Sequence, residues 1–173
     1  WGVMNVKNLA LGVFVIMGGY LAFSLYNVGV GPVTALPIVA LVMFVFGWIS
    51  YLLIIKRVID NDMFVSLLAT FGLSLFLQQV MNLIYGPEVQ TIDSKFPIAT
   101  MFDSFVTVPM AKVVSLLLAG GFAAIIVVFM KKSRTGQAIR ATAQDPRAAR
   151  VLGINTDRNY AFTFSLNAAI CGV

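Results

Sequence analysis

The sequence contains no histidine and a single cysteine, Cys171. An intrachain disulfide is therefore excluded, and so are His-based metal sites and His-dependent catalytic triads. Acid is scarce too: seven Asp and Glu residues stand against twelve Lys and Arg. The seven are Asp60, Asp62, Glu88, Asp93, Asp103, Asp145 and Asp157, and all of them fall in loops or at the ends of apolar runs. No carboxylate pair lies inside an apolar segment, where general acid–base work or ion coupling would need one. That counts against a membrane enzyme and against an ion-coupled carrier or channel. A phosphate-binding GxxxxGK(S/T) loop is missing as well, so any ATPase that drives this protein is another chain. The chain is expected to carry no catalytic residue, no metal and no cofactor of its own.

What is plentiful is apolar. The chain is 60% hydrophobic and 11% charged, whereas a soluble domain is about 45–50% apolar and about 25% charged. It reads as an integral membrane protein, all-α and polytopic. The net charge of +5 does not imply nucleic acid, because the bases flank membrane segments, where positive-inside bias puts them. Four complete apolar segments are predicted, at about 9–26, 33–55, 63–85 and 113–130, with a fifth that begins near Tyr160. A spanning helix needs about 20 apolar residues, so the first and fourth are marginal. Barrel strands would show ten-residue alternation and are not expected. The chain opens on Trp1 with no signal-peptide pattern and closes on Val173 within an apolar run. The expectation is one transmembrane domain over residues 1–173, truncated at both ends.

The loops orient the segments. Lys56 and Arg57 follow the second. The 131–158 loop carries seven of the twelve bases, namely Lys131, Lys132, Arg134, Arg140, Arg147, Arg150 and Arg158. The 86–110 loop has one base, Lys95, against Glu88, Asp93 and Asp103, and Pro87, Pro97 and Pro109 interrupt it. Alternating helices place the two basic loops together on the cytoplasmic side and the acidic loop outside. Trp48, Tyr51 and Tyr26 read as interface anchors.

Within 131–158, two short helices are predicted. Ser133 or Thr135 caps the first, through residues 137–143. Asp145 caps the second, with Pro146 at its first position, then Arg147, Ala148, Ala149 and Arg150, and Gly153 in the left-handed position past its end. Thr156 or Asp157 then caps the last apolar segment. Neither short helix is stable alone in water, so each needs a surface. One candidate surface is lipid headgroups, with the Arg residues on phosphates. The small residues Ala138, Ala141, Thr142, Ala148 and Ala149 favour a protein partner, since they allow close approach but bury little area in lipid.

The stretch RTGQAIRATAQDPRAARVLGIN resembles the cytoplasmic loop of bacterial branched-chain amino acid ABC transporter permeases of the LivH type. The resemblance covers nearly the whole chain. It includes Gly2-Val3-Met4-Asn5, Asn8-Leu9-Ala10-Leu11-Gly12, Gly18-Gly19-Tyr20, Ala69-Thr70-Phe71-Gly72-Leu73-Ser74, Leu77-Gln78, Gly86-Pro87 and Arg158-Asn159-Tyr160-Ala161-Phe162-Thr163-Phe164. The chain departs from the family at Leu11, where a His is common. It departs from the general importer loop motif at Arg147, which stands where that motif has Glu before Ala-Ala. The resemblance implies a permease subunit in the bacterial inner membrane. It implies ATP bound by separate cytoplasmic subunits and an extracytoplasmic solute-binding protein. It also implies a second permease subunit, identical or not. The 131–158 loop would be the ATPase-docking element, through Ala138, Arg140, Asp145, Pro146, Arg147, Ala148, Ala149, Arg150 and Gly153. Branched-chain amino acids are the implied cargo; urea, short amides or sugars are the alternative.

Polar residues inside the apolar runs are the candidate solute path. Ser66, Thr70, Ser74, Gln78 and Asn82 follow one another at i, i+4 steps on the third segment, a stripe that drifts by about 40° per step. Such groups need partners in hydrocarbon. They either hydrogen-bond between helices or wall a path, with Gln78, Gln79 and Asn82 the costliest to bury. Asn5, Asn8 and Gly12 share a face of the first segment, with Gly19 further along. Close packing, or an unwound stretch that lines a cavity, would explain them.

Overall fold

A computed structural model of the chain describes residues 9–58, 63–86, 98–101 and 106–173. They form two compact units. One comprises Trp1–Thr91 with Ala138–Val173, and the other Ile92–Gln137.

In the first unit, α1 (Leu11–Asn27) is followed by α2 (Pro32–Ser50), a π-helical turn (Tyr51–Ile55) and α3 (Lys56–Val58) without a break. Then come α4 (Met63–Tyr85), the later part of α6 (Arg134–Gln144), α7 (Pro146–Val151) and α8 (Thr156–Gly172). The second unit holds the strands β1 (Ile98–Met101) and β2 (Val106–Pro109), α5 (Met110–Lys132) and the start of α6.

Thr34–Val58, Phe64–Tyr85 and Lys112–Lys132 are long and apolar enough to cross a membrane. The fourth predicted segment starts a few residues before Val113 and reaches from Met110 to Lys132. By contrast α1, at 17 residues, measures about 26 Å at 1.5 Å per residue and falls short of a hydrocarbon core of about 30 Å. Its last turn closes on Gly29 at φ +94°, where the Gly29 N–H donates to the Tyr26 carbonyl and the Val30 N–H to Leu25. This is a Schellman stop that only glycine adopts without strain.

The core of the first unit forms where α8 packs against both α1 and α2. Phe14 of α1 meets Phe164 of α8 edge to face at 5.9 Å and Phe46 of α2 at 6.1 Å. Ala10, Met17, Val39, Met43 and Ala168 fill the space around them. Three glycines allow the close approach. A Cβ on Gly47 would stand 2.8 Å from the Ala168 Cβ and 2.9 Å from the Ser165 Cα, a Cβ on Gly18 would overlap the Gly172 backbone, and Gly172 itself abuts Met43. Small residues at the contact are what let membrane helices pack without a hydrophobic drive between them. The close-packed glycine of α1 is therefore Gly18, whereas Gly12 and Gly19 face open space. No unwound stretch interrupts Leu11–Asn27.

These pairings also give the helix directions. Phe14 with Phe164 and Gly18 with Gly172 make α1 and α8 parallel. Tyr51 with Phe164 and Met43 with Gly172 make α2 antiparallel to α8. The Leu9 N–H donates to the Thr70 hydroxyl at 3.3 Å, Ser24 and Tyr85 share a hydrogen bond of 2.7 Å, and the Tyr20 and Tyr85 rings stack at 4.4 Å, so α4 runs parallel to α1. The predicted alternation therefore holds for these helices. Lys56, the first residue of α3, sits 3.7 Å from Asp157 at the start of α8. Both side chains are half exposed, and a pair of that kind contributes about 0–1 kcal/mol. Its value here is positional: the Lys56-Arg57 segment and the end of the 131–158 loop share one end of the unit.

Two expectations need correction. Tyr51 is fully buried against Phe164 at 6.4 Å and is no interface anchor. Tyr51 and Ile55, four apart, share one helix face, and α8 covers it through Phe164. Second, the 86–110 stretch is not wholly a loop. β1 and β2 pair antiparallel from Ile98↔Pro109 to Met101↔Val106. Each strand is four residues long and mixes β-branched with small residues, too short a pattern for the sequence to announce. Glu88, Asp93 and Asp103 lie outside the described residues.

Candidate functional site

The basic loop folds as the sequence predicts, with one change. The Ser133 hydroxyl accepts from the Gly136 N–H at 2.9 Å and caps α6. The Asp145 carboxylate accepts from the Arg147 and Ala148 N–H groups at 2.8 and 3.0 Å and caps α7. Beyond α7, the Gly153 N–H donates to the Arg150 carbonyl and the Ile154 N–H to Ala149, with Gly153 at φ +78°. The change concerns α8. Its cap is Asn155, whose side-chain oxygen accepts from the Arg158 N–H at 3.0 Å, and not Thr156 or Asp157. Asn competes well as a cap, and Thr156 is engaged elsewhere.

The surface these short helices need belongs to this chain. Ile139 and Thr142 of α6, Ala149 of α7, and Thr156 and Asn159 of α8 are all buried. Within this small core the Asn159 amide donates to the Thr142 hydroxyl at 3.0 Å, and that hydroxyl donates to the Ala138 carbonyl at 2.8 Å. Arg150 Nε donates to the Thr156 hydroxyl at 2.8 Å.

The predicted docking residues therefore divide. Ala149 is internal, Asp145 serves its cap, Arg150 is held to Thr156, and Ala138 and Pro146 are half-buried. Arg140, Arg147, Ala148 and Gly153 are exposed. Two residues outside that set are highly exposed large apolar side chains: Val151 is 88% exposed and Leu152 78%. A signal for Val151 existed. Val151 follows Ala149 by two positions, about 200° round a helix, so burying Ala149 turns Val151 outward.

The polar stripe on α4 divides as well. Thr70 and Ser74 are buried, and their hydroxyls donate to the Leu67 and Phe71 carbonyls at 3.0 and 2.7 Å. Ser66 donates to the Val58 carbonyl at 3.1 Å. These three serve local and interhelical bonding. Twelve residues on from Thr70 the drift amounts to about 120°. Gln78, Gln79 and Asn82 have accordingly left the packed face and are exposed among Leu75, Phe76, Leu83 and Ile84. Asn5 and Asn8 lie outside the described residues.

A family model described as branched-chain amino acid transport system / permease component matches residues 1–173. The chain belongs to this family. Among curated relatives of this permease family, it is 31% identical over 180 residues to the probable branched-chain amino acid transport permease protein LivH of Methanocaldococcus jannaschii, covering 98% of this chain and 55% of that protein. It is 27% identical to the high-affinity branched-chain amino acid transport system permease protein LivH of Escherichia coli K12, covering all of this chain and 60% of the relative. It is 24% identical to the BraD permease protein of Pseudomonas aeruginosa, covering all of this chain and 61% of the relative. The chain thus spans a little more than half the length of the permeases it matches. No solved structure matches it.

Proposed function

We propose that this chain is the larger part of a membrane-spanning permease subunit that moves branched-chain amino acids into a bacterial cell. In this reading ATP is hydrolysed by separate cytoplasmic subunits. A second permease subunit and an extracytoplasmic solute-binding protein complete the importer. The observation that carries the reading is the family match over all of residues 1–173, joined to a basic helical loop that ends in an exposed apolar tip, Val151 and Leu152. Large apolar side chains that project from a basic loop are suited to a groove on a protein partner, with Arg147 beside them. The names of the relatives carry the choice of cargo.

Orientation is tested by labelling. In a Cys171→Ser background, a cysteine at Ser133 should stay unlabelled by an impermeant thiol reagent in intact cells, and one at Ser94 should react. The reverse pattern would turn the loop outward and remove its access to ATP-binding subunits.

Transport is tested in proteoliposomes that hold the full permease with its ATPase and binding protein. Leucine should accumulate only with ATP, and urea and a neutral sugar should not. Urea or sugar uptake without leucine uptake would refute the cargo assignment. Gln78 and Asn82 suit the path, because uncharged amides repel neither end of a zwitterion and amides facing hydrocarbon would be costly. Gln78→Leu should lower leucine uptake per folded molecule by about fivefold, equivalent to one hydrogen bond of about 1 kcal/mol. Unchanged uptake would take Gln78 off the path.

A further inference from the structure

We propose that the buried Asn159–Thr142 pair is the joint that passes movement of the 138–153 segment into α8, a positioning role that rests on the transport function proposed above. The pair spans 17 positions of sequence and joins the short amphipathic helix α6 to the first turn of α8. The Thr142 hydroxyl is used in both directions. The one hydroxyl proton of Thr142 goes to the Ala138 carbonyl, which leaves the oxygen free to accept from the Asn159 amide. Thr142 has no exposure and Asn159 has 7%, so water does not compete for the bond.

Apolar burial also holds this segment in place, at Ile139 of α6 and Ala149 of α7. Such contact is non-directional and tolerates sliding. A buried hydrogen bond does not, because it fixes distance and direction at once, and breaking it orphans a polar group. The rest of the assembly reinforces that register. Arg150 holds Thr156, and Asp157 reaches Lys56 at the start of α3. Beyond the joint, α8 packs against α1 and α2 through contacts with no free space, at Gly47 and Gly18. A displacement of α7 is therefore carried by α6 and the Thr142–Asn159 bond into α8, and from α8 into both neighbouring helices.

The test uses the full importer in proteoliposomes and reads leucine transported per ATP hydrolysed. Thr142→Ser keeps the acceptor and should keep the wild-type ratio. Thr142→Val removes it and should lower the ratio by about tenfold, within the range of ordinary coupling energies, while ATPase recruitment and hydrolysis persist. The double variant Thr142→Val with Asn159→Leu guards against a folding defect, since replacing both partners by apolar groups of similar shape leaves nothing unsatisfied. It should fold, recruit the ATPase and remain uncoupled. A double variant with the wild-type ratio would show that the pair serves packing alone and would overturn the joint. A fall in hydrolysis and transport together, with the ratio unchanged, would overturn it too. If the wild-type permease recruits no ATPase, the importer function itself fails and the joint with it, an outcome distinct from either of these.

Discussion

Gly47→Leu is expected to yield almost no folded protein. A single Cβ at position 47 would already lie 2.8 Å from the Ala168 Cβ and 2.9 Å from the Ser165 Cα. The second of these is backbone, so α8 cannot yield by turning a side chain. Inserting bulk into a packed core costs about 1–3 kcal/mol, and more where the backbone must move. Against a total stability of about 5–15 kcal/mol, that takes a large share. The loss would be read as a fall in monodisperse protein in detergent and in the thermal unfolding midpoint, with Gly47→Ala showing a smaller fall. Gly72→Leu is the control, because a Cβ at Gly72 meets nothing within 4 Å. If Gly47→Leu unfolds no earlier than Gly72→Leu, α2 and α8 do not touch as described.

Introducing charge at the loop tip should abolish transport without harming the fold. Val151 and Leu152 make almost no contact within the chain, so Val151→Asp with Leu152→Asp should leave yield and unfolding midpoint unchanged. Apolar anchors at interface centres are worth about 2 kcal/mol or more each. The two together amount to about 4 kcal/mol, so ATPase affinity for the purified permease should fall by about a thousandfold, and uptake should drop to background. Ala149→Trp serves as the opposite case. Ala149 is 2% exposed, packed inside the chain, so a large residue there should reduce folded protein before any partner is involved. Full ATPase binding by the doubly charged variant would exclude the tip as the contact.

Much of the fold was legible in the sequence, for reasons that differ from element to element. The bounds of α4, Met63–Tyr85, follow from a largely apolar run free of charge and proline between Asp62 and Pro87. Those of α7 follow from Asp145, Pro146 and Gly153, three residues whose backbone preferences act locally. The facing of each side chain is a long-range property, and there the sequence was weaker. Ala148 and Ala149 are chemically identical, yet one is exposed and the other internal, because α8 lies on only one side of α7. Thr70 and Gln78 belong to one stripe, yet the helical drift places them on different faces. The internal place of Tyr51 depends on Phe164 of α8, a contact for which the run Tyr51-Leu52-Leu53-Ile54-Ile55 gives no local sign. Gly18 and Gly19 are adjacent and alike, and only the path of α8 decides that Gly18 is the contact.

The seating of α8 against α1 and α2 has a consequence for how the chain matures. The glycines at 18 and 47 are synthesised more than a hundred residues before their partners at 165, 168 and 172. At a synthesis rate of about 5–20 residues per second, the nascent chain spends several seconds with that part of its core unfilled. During that interval lipid, or a membrane chaperone, must occupy the place α8 will take. A ribosome stalled before Thr156 would leave a product that holds α1 and α2 but whose core has not closed, a ready substrate for membrane quality control.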